Sequence, residues 1–386
     1  MKQTNKFLSM GLLSAAVLGG FSSCDSSEDD AIQKHKLRLL LELPSDVDFE
    51  DIEDLRVTAK SSKGAEFSVN FQDDVTPFDT LLLSGSYVFD LTGKISETRF
   101  LVASETVELY NESNVKLKAE AQTKSSLIFK TIYHVSSGYY ISDTYVEIVN
   151  NSDEVQYLDQ LIVNYNGVCN QKGPNAWQAN GLESTYASSQ SLALAFPGEG
   201  TDYPLEPGKS VIVANTAAKH ATAEKPQLPD LSNADFEIFN EQGLGGDTDN
   251  PNVPNMDIIW GGTYSGKSLF FGIAGGAAIL SRPSKGMTAM EYGATPENIM
   301  TTPGTSSEMT YLVVQSADVL DAVHIVSADN ATPYSYFLPV DDAAPTVASV
   351  GWSATCSRRK SEVVNGKEVF QDTNNSKNDF LPNQAL

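Results

Sequence analysis

Between Lys36 and about Glu120, apolar side chains return at every second position in short runs cut off by turn residues, the pattern of half-buried β-strands. Leu37, Leu39, Leu41 and Leu43 alternate with Arg38, Leu40, Glu42 and Pro44, which lays one apolar face on a core and stops at the proline. Leu55 to Lys60 alternates again and meets a turn signal at Ser62-Lys63-Gly64. Phe67 and Val69, then Tyr87 to Asp90, Val107 to Tyr110 and Val115 to Ala119, continue in the same way. Short strands, frequent turns and no helical period predict a small β-sandwich over residues 35–122.

A polar stretch from Gln122 to Ser126 marks a boundary, and strand patterns resume behind it. They are Leu127 to His134, Thr144 to Ser152, Leu158 to Tyr165, Val211 to Ala214 after the Pro207-Gly208 turn, and Phe236 to Asn240. In the second of these, Tyr145, Glu147 and Val149 share one side and Val146 and Ile148 the other. The expected class is therefore all-β.

The first thirty residues bear on the compartment. Lys2 and Lys6 precede an apolar run from Phe7 to Phe21, and Ser22 and Ser23 lead into Cys24. That run is broken by Gly11, Gly19 and Gly20 and followed by acids, which favours a lipoprotein signal over residues 1–23 with lipidation at Cys24 over a transmembrane helix. Residues 24–34 then form an acidic tether, and Asp25-Ser26-Ser27-Glu28-Asp29-Asp30 resembles the export tag that sends Bacteroidetes lipoproteins to the outer face of the outer membrane. With Cys24 assigned to lipid, Cys169 and Cys356 remain, either as one disulfide or as two buried thiols.

Charge narrows the partners. The 386 residues hold 50 acidic and 26 basic side chains, a formal charge of −24, so a nucleic-acid role would need a basic face formed against the field of the whole chain, and an anionic membrane surface is disfavoured. Gly261-Gly262-Thr263-Tyr264-Ser265-Gly266-Lys267-Ser268 satisfies the P-loop expression after the apolar Ile258-Ile259-Trp260. The glycine-broken run that follows is unsuited to the helix a phosphate cradle needs, so a Gly-rich turn is expected and no nucleotide. Asp247, Asp249 and Asp257, with Asn250 and Asn252, offer oxygen ligands for calcium, as do Asp372, Asn374, Ser376 and Asp379. Asx residues cap local backbone in turns, and for both loops that reading is preferred; otherwise no cofactor is expected. The four histidines are far apart in sequence, and neither a His-Glu-x-x-His nor a Gly-x-Ser-x-Gly motif occurs, so a non-enzymatic role is expected.

The segment Asp143 to Ser152, with Val155 and Leu158, resembles the opening of a lamin-tail domain, an immunoglobulin-like β-sandwich. Leu205-Glu206-Pro207-Gly208, Leu231 to Phe236, Val319 to Val323, Cys356 to Lys360 and Asp372 to Phe380 follow in the family's order. The resemblance covers residues 127–380, with long loop insertions near 166–203 and 243–310. Signal, small β domain and lamin-tail-like domain together resemble an uncharacterised family of Bacteroidetes outer-membrane lipoproteins. That implies a surface-exposed binding or accessory subunit, with a TonB-dependent nutrient transporter as partner and the small sandwich raising the larger domain off the membrane. An envelope adhesin and an extracytoplasmic hydrolase are the alternatives. Loops carry function more often than scaffolds do, so Trp177, Tyr186, Trp260 and Tyr264, in or beside the insertions, are the expected ligand-binding rings, with Trp177 and Tyr186 the expected exposed pair.

Overall fold

The computed structural model describes residues 33–61, 65–71, 77–96, 99–123, 125–133, 142–166, 173–188, 192–241, 248–261, 276–283, 286–327, 334–350, 354–364 and 366–386. The chain divides into two compact units that meet in sequence at Ala121 and Gln122.

The first unit holds two sheets. One has the order β4 (Phe78–Leu83), β1 (Lys34–Glu42), β7 (Ser113–Lys118), and the other β3 (Glu66–Asn70), β2 (Glu53–Ser61), β5 (Gly85–Lys94), β6 (Arg99–Leu109), β8 (Glu120–Thr123). Alternation fixes which side chains turn inward: Leu37 and Leu39 of β1 and Val115 and Leu117 of β7 meet Val57, Phe89 and Leu91 of the other sheet in one core. Residues 78–83, which carried no clear period, form the edge strand β4, antiparallel to β1.

The second unit is a β-sandwich with a third layer. Its first sheet runs β17 (Phe236–Glu237), β16 (Ser210–Ala214), β10 (Tyr145–Asn150), β9 (Leu127–Tyr133), β24 (Thr355–Arg359), β27 (Phe380–Ala385). Its second runs β18 (Asp257–Gly261), β14 (Leu192–Ala195), β12 (Ile162–Asn166), β19 (Gly276–Ser281), β22 (Val319–Val326), β23 (Thr346–Val347). Phe129, Val146, Ile148 and Val213 of the first sheet bury against Val163, Leu194, Leu280 and Val323 of the second. Two small pairs, β11 (Gln156–Tyr157) with β15 (Pro204–Leu205) and β25 (Ser361–Val364) with β26 (Lys367–Phe370), complete the strands that position the site.

The far face of the second sheet is also covered. A three-stranded sheet, β13 (Thr185–Ala187), β21 (Thr310–Gln315), β20 (Ile299–Thr301), lies over it. Ala277, Ile279 and Ala322 meet Tyr186 and Val314 of that layer, and Ala193 and Ala195 meet Trp260 and Leu312. The short helix α1 (Ala176–Ala179) packs Trp177 on Ala187 and Val313 of the same layer. A second, α2 (Ala289–Ala294), approaches β18 so closely that a Cβ on Gly293 would stand 2.1 Å from the Ile259 carbonyl oxygen.

This corrects the expectation of loops near 166–203 and 243–310. Those segments contain β14, β18 and β19, integral strands of the second sheet, together with β13 and β20 of the third layer. The physical reason is burial on both faces. Every residue of β14 and β19 is buried, so their sequences, Leu-Ala-Leu-Ala and Gly-Ala-Ala-Ile-Leu-Ser, carry small apolar side chains on both sides and no in-out contrast.

Candidate functional site

The site is built around β24, which lies between β9 and β27 in the first sheet. The register of its pairing with β27 shifts between Cys356 and Arg358. Arg359 is buried while Arg358 and Lys360, on either side of it in sequence, are half-buried.

Arg359 spends its guanidinium on several partners. Nε donates to the Phe129 carbonyl at 2.8 Å, and Nη1 to the Gln371 carbonyl and to Asp372 Oδ1, both at 3.1 Å. Nη2 donates to Asp321 Oδ2 at 2.6 Å, and the same oxygen accepts the Phe129 amide at 2.7 Å. Asp379 Oδ2 stands 3.6 Å from Nη1, and the Phe380 ring lies 4.8 Å from the guanidinium carbon. One cation thus faces three carboxylates, each 4% exposed or less.

Burial penalises ionisation there, so the Asp321 carboxyl is pushed up, and Asp379 is pushed up to about 6 although Arg359 pulls it down. Asp379 also accepts from the Thr373 amide and hydroxyl at 2.8 and 2.7 Å. Close by in sequence, α3 (Pro339–Asp342) presents Asp342, wholly buried, to the His324 amide at 2.8 Å and to the amide and hydroxyl of Ser376, both at 2.7 Å. Ser376 opens α4 (Ser376–Asp379). Burial pushes Asp342 up to about 8, against the pull of its hydrogen bonds from Ser376 and His324.

A cavity of about 610 Å³ opens beside this cluster, between the β25–β26 hairpin and the β24–β27 edge. Its buried side is Arg359, Asp372 and Phe370; Val369 and Leu381 add apolar surface, and Gln371 and Gln384 add amides. Arg358, Lys360 and Glu362 bring charged heads to it. The hairpin is fastened where Phe370 packs on Ile128 and Val149, with Lys130 Nζ 5.6 Å from the ring centre. Lys360 Nζ donates to the Asn378 carbonyl.

The rings expected at a ligand site lie elsewhere. Trp177 and Trp260 are each 8% exposed and Tyr186 is 1% exposed, so the expected exposed pair is buried. Trp177 meets Tyr311 edge-on at 5.3 Å. Tyr186 donates to Asp341 Oδ2 at 2.5 Å, accepts from the Leu338 amide at 3.0 Å and packs edge-on to Phe337. Tyr186 and Trp260 are buried between the third layer and the second sheet, and Trp177 is buried between α1 and the third layer.

Of the calcium candidates, Asp249 accepts from the Asn255 amide at 2.9 Å, and burial pushes the Asp257 carboxyl up. Asn250 is tied to Glu237, Ala217 and Ser232, and its Oδ1 accepts from the Asn252 backbone amide at 3.2 Å, an Asx turn. In the second loop, Asp372 and Asp379 face Arg359, Ser376 binds Asp342, and Asn374 donates to the Val340 carbonyl. Among the described residues no group of three or more His, Cys, Asp or Glu side chains is arranged to hold a metal. Cys356 is a fully buried thiol, pushed up by burial. Cys24, Cys169, Asp247 and Tyr264 lie outside the described residues, as do residues 262–268 of the P-loop-like segment.

Arg358-Arg359-Lys360 falls in the segment Cys356 to Lys360, for which the sequence predicts a place in the sandwich and no ligand. The available signal was that these are the only adjacent basic residues in an acidic chain.

Residues 206–385 match the model of a family described as a protein of unknown function (DUF4876). A solved crystal structure of a DUF4876 family protein from Bacteroides thetaiotaomicron VPI-5482 is similar to this chain. The two share 22% identity with a TM-score of 0.59, over 90% of this chain and 95% of that one, a likeness of fold. The search of curated proteins finds no match. What these results define is a class, an all-β protein that matches an uncharacterised family over residues 206–385 and is similar in fold to a Bacteroides protein of that family.

Proposed function

We propose that this chain is a lipoprotein of the outer membrane, anchored at Cys24 and facing the cell exterior, that serves as a non-enzymatic binding or accessory subunit of a TonB-dependent uptake system. Its second unit is a lamin-tail-like sandwich on the order of its segments, and it takes a small polar ligand in the cavity beside Arg359. The observation that carries the reading is that cavity. At about 610 Å³ it falls within the roughly 300–1,000 Å³ of small-molecule sites, and it pairs an apolar wall with a few convergent polar groups. A saccharide-like ligand fits this lining, with its apolar faces against Val369 and Leu381 and hydroxyls against Gln371, Gln384 and Arg358. Binding is favoured over hydrolysis because Asp372, the buried carboxylate of the lining, is already engaged by Arg359 at 3.1 Å.

Two measurements test the two halves. Metabolic palmitate labelling should mark the wild-type chain and not Cys24→Ser; equal labelling of both removes the anchor. Calorimetric titration of the chain with a panel of neutral and acidic mono- and disaccharides should give a ligand whose affinity Arg358→Ala and Gln384→Ala each weaken about tenfold, the equivalent of about 1.4 kcal/mol. Equal affinity in the variants removes the cavity from the reading.

A further inference from the structure

The net charge of −24 hides an uneven distribution in the first unit. Because Leu37, Leu39, Val115 and Leu117 turn into the core, the opposite face of the β4-β1-β7 sheet carries Lys34, Lys36 and Arg38 from β1 and Lys116 and Lys118 from β7. These are five of the ten basic side chains between residues 34 and 121, against two of the seventeen acidic ones, Glu42 and Asp79. All five cations are exposed.

Their spacing keeps like charges from sitting directly opposite each other. Across β1 and β4, Arg38 faces Asp79 and Lys36 faces Leu81; across β1 and β7, Leu40 faces Lys116 and Glu42 faces Lys118. Arg38 pairs with Asp79 at 2.7 Å and Lys116 with Glu42, while Lys36 reaches the exposed Glu112 beside β7 at 3.8 Å. The face keeps a formal charge of +3 from its own residues, interleaved with Leu40, Leu81 and Leu83, of which Leu81 is 61% exposed.

We infer that this face docks the first unit on an anionic lipid surface, with Lys34, Lys36, Lys116 and Lys118 among the headgroup phosphates. The inference rests on the lipid anchor proposed above. Nine residues separate Cys24 from Lys34, so covalent geometry keeps the start of β1 within about 35 Å of the lipid. The intervening acids, Asp25, Glu28, Asp29 and Asp30, are repelled by such a surface, which leaves the contact to the folded face. Each basic residue near an anionic surface is worth roughly a fivefold change in partition, so the two net charges left once Glu112 is counted give roughly a twenty-five-fold preference over a neutral one. That is too weak to anchor a protein alone. Added to a lipid chain, it orients the unit.

The test uses the full lipidated chain in vesicles of phosphatidylcholine alone and of phosphatidylcholine mixed with phosphatidylglycerol. Mass spectrometry follows acetylation of Lys34, Lys36, Lys116 and Lys118 by a water-soluble reagent, with Lys209 and Lys225 as references. The four lysines should react about fivefold more slowly on the anionic vesicles, and high salt should abolish the difference. The charge-reversing pair Lys34→Glu and Lys118→Glu should release Lys36 and Lys116, with an unchanged circular dichroism spectrum reporting an intact fold. Equal rates on both vesicle types overturn the proposal. So does protection that appears only when solubilised outer-membrane proteins are added, which assigns the face to a protein. Failure of the anchor reads differently: the chain then does not float with neutral vesicles, and whether it still binds anionic ones at low salt decides for or against the face.

Discussion

The two units handle the same ion pair in opposite ways. In the first, Arg38 and Asp79 meet at 2.7 Å with side chains 44% and 40% exposed; in the second, Arg359 and Asp321 meet at 2.6 Å with both 2% exposed. Water already solvates the first pair, so joining it changes little. The second pair has lost that solvation and depends on every hydrogen bond around it. Contact distance therefore says little about what an ion pair does for the fold, and burial says most of it.

The largest expected effect follows from removing the buried cation. Arg359→Met leaves Asp321, Asp372 and Asp379 without their counter-charge and should cost about 3–5 kcal/mol in urea unfolding of the second unit. Adding Asp321→Asn should recover part of that loss; no recovery would mean that the guanidinium acts through its backbone contacts alone.

Next comes pH. The buried Asp379 and Asp342 titrate at about 6 and about 8 in the folded chain, above the roughly 3.9 of an unfolded aspartate. The folded state therefore holds more protons between those values. The stability these groups contribute is full below about pH 4 and is lost as pH rises through about 6 and 8. The urea midpoint of the second unit should be lower at pH 8 than at pH 5, and Asp342→Asn should flatten the upper part of that slope. A midpoint that rises over this range would show both groups ionised throughout.

A smaller effect is expected where a neutral group is lost. Tyr186→Phe removes the donor to Asp341 and the acceptor for the Leu338 amide in a site 1% exposed, and should cost about 1–3 kcal/mol. Smallest of all is Asp79→Asn in the first unit. It should leave the unfolding midpoint within measurement scatter, and any residual shift should vanish in high salt. A shift as large as that of Arg359→Met would erase the contrast between the units.

The contrast also sets how much was legible in sequence. Strands with one wet face announce themselves: β1 alternates Leu37 and Leu39 with Lys36 and Arg38, and β7 alternates Val115 and Leu117 with Lys116 and Lys118. Strands dry on both faces are legible when rich in β-branched and aromatic residues, as β9 and β12 are, whereas β14 and β19, built largely of Ala, Leu and Gly, fall in the expected insertions. The rings were misplaced too. Trp177 and Tyr186 sit among polar residues in sequence, yet those neighbours are capping and pairing groups, as Asn175 is at the start of α1. The cavity was the least legible feature, because it joins the hairpin and two strands whose lining spans Arg358 to Gln384, and only the basic run at its start was visible. Charge placement was equally hidden: composition gave the sign of the whole chain and not the reversed sign of one sheet face.

The hydrogen bond from Arg359 to the Phe129 carbonyl joins residues 230 apart. A ribosome releases β9 long before β24, so for most of its synthesis the second unit has an open strand edge where β24 will later sit, and Asp321 waits without its cation. The first unit closes by residue 123 and has no such debt. Synthesis and folding are thus staggered, with an early module complete while the later one stays extensible until its last thirty residues emerge.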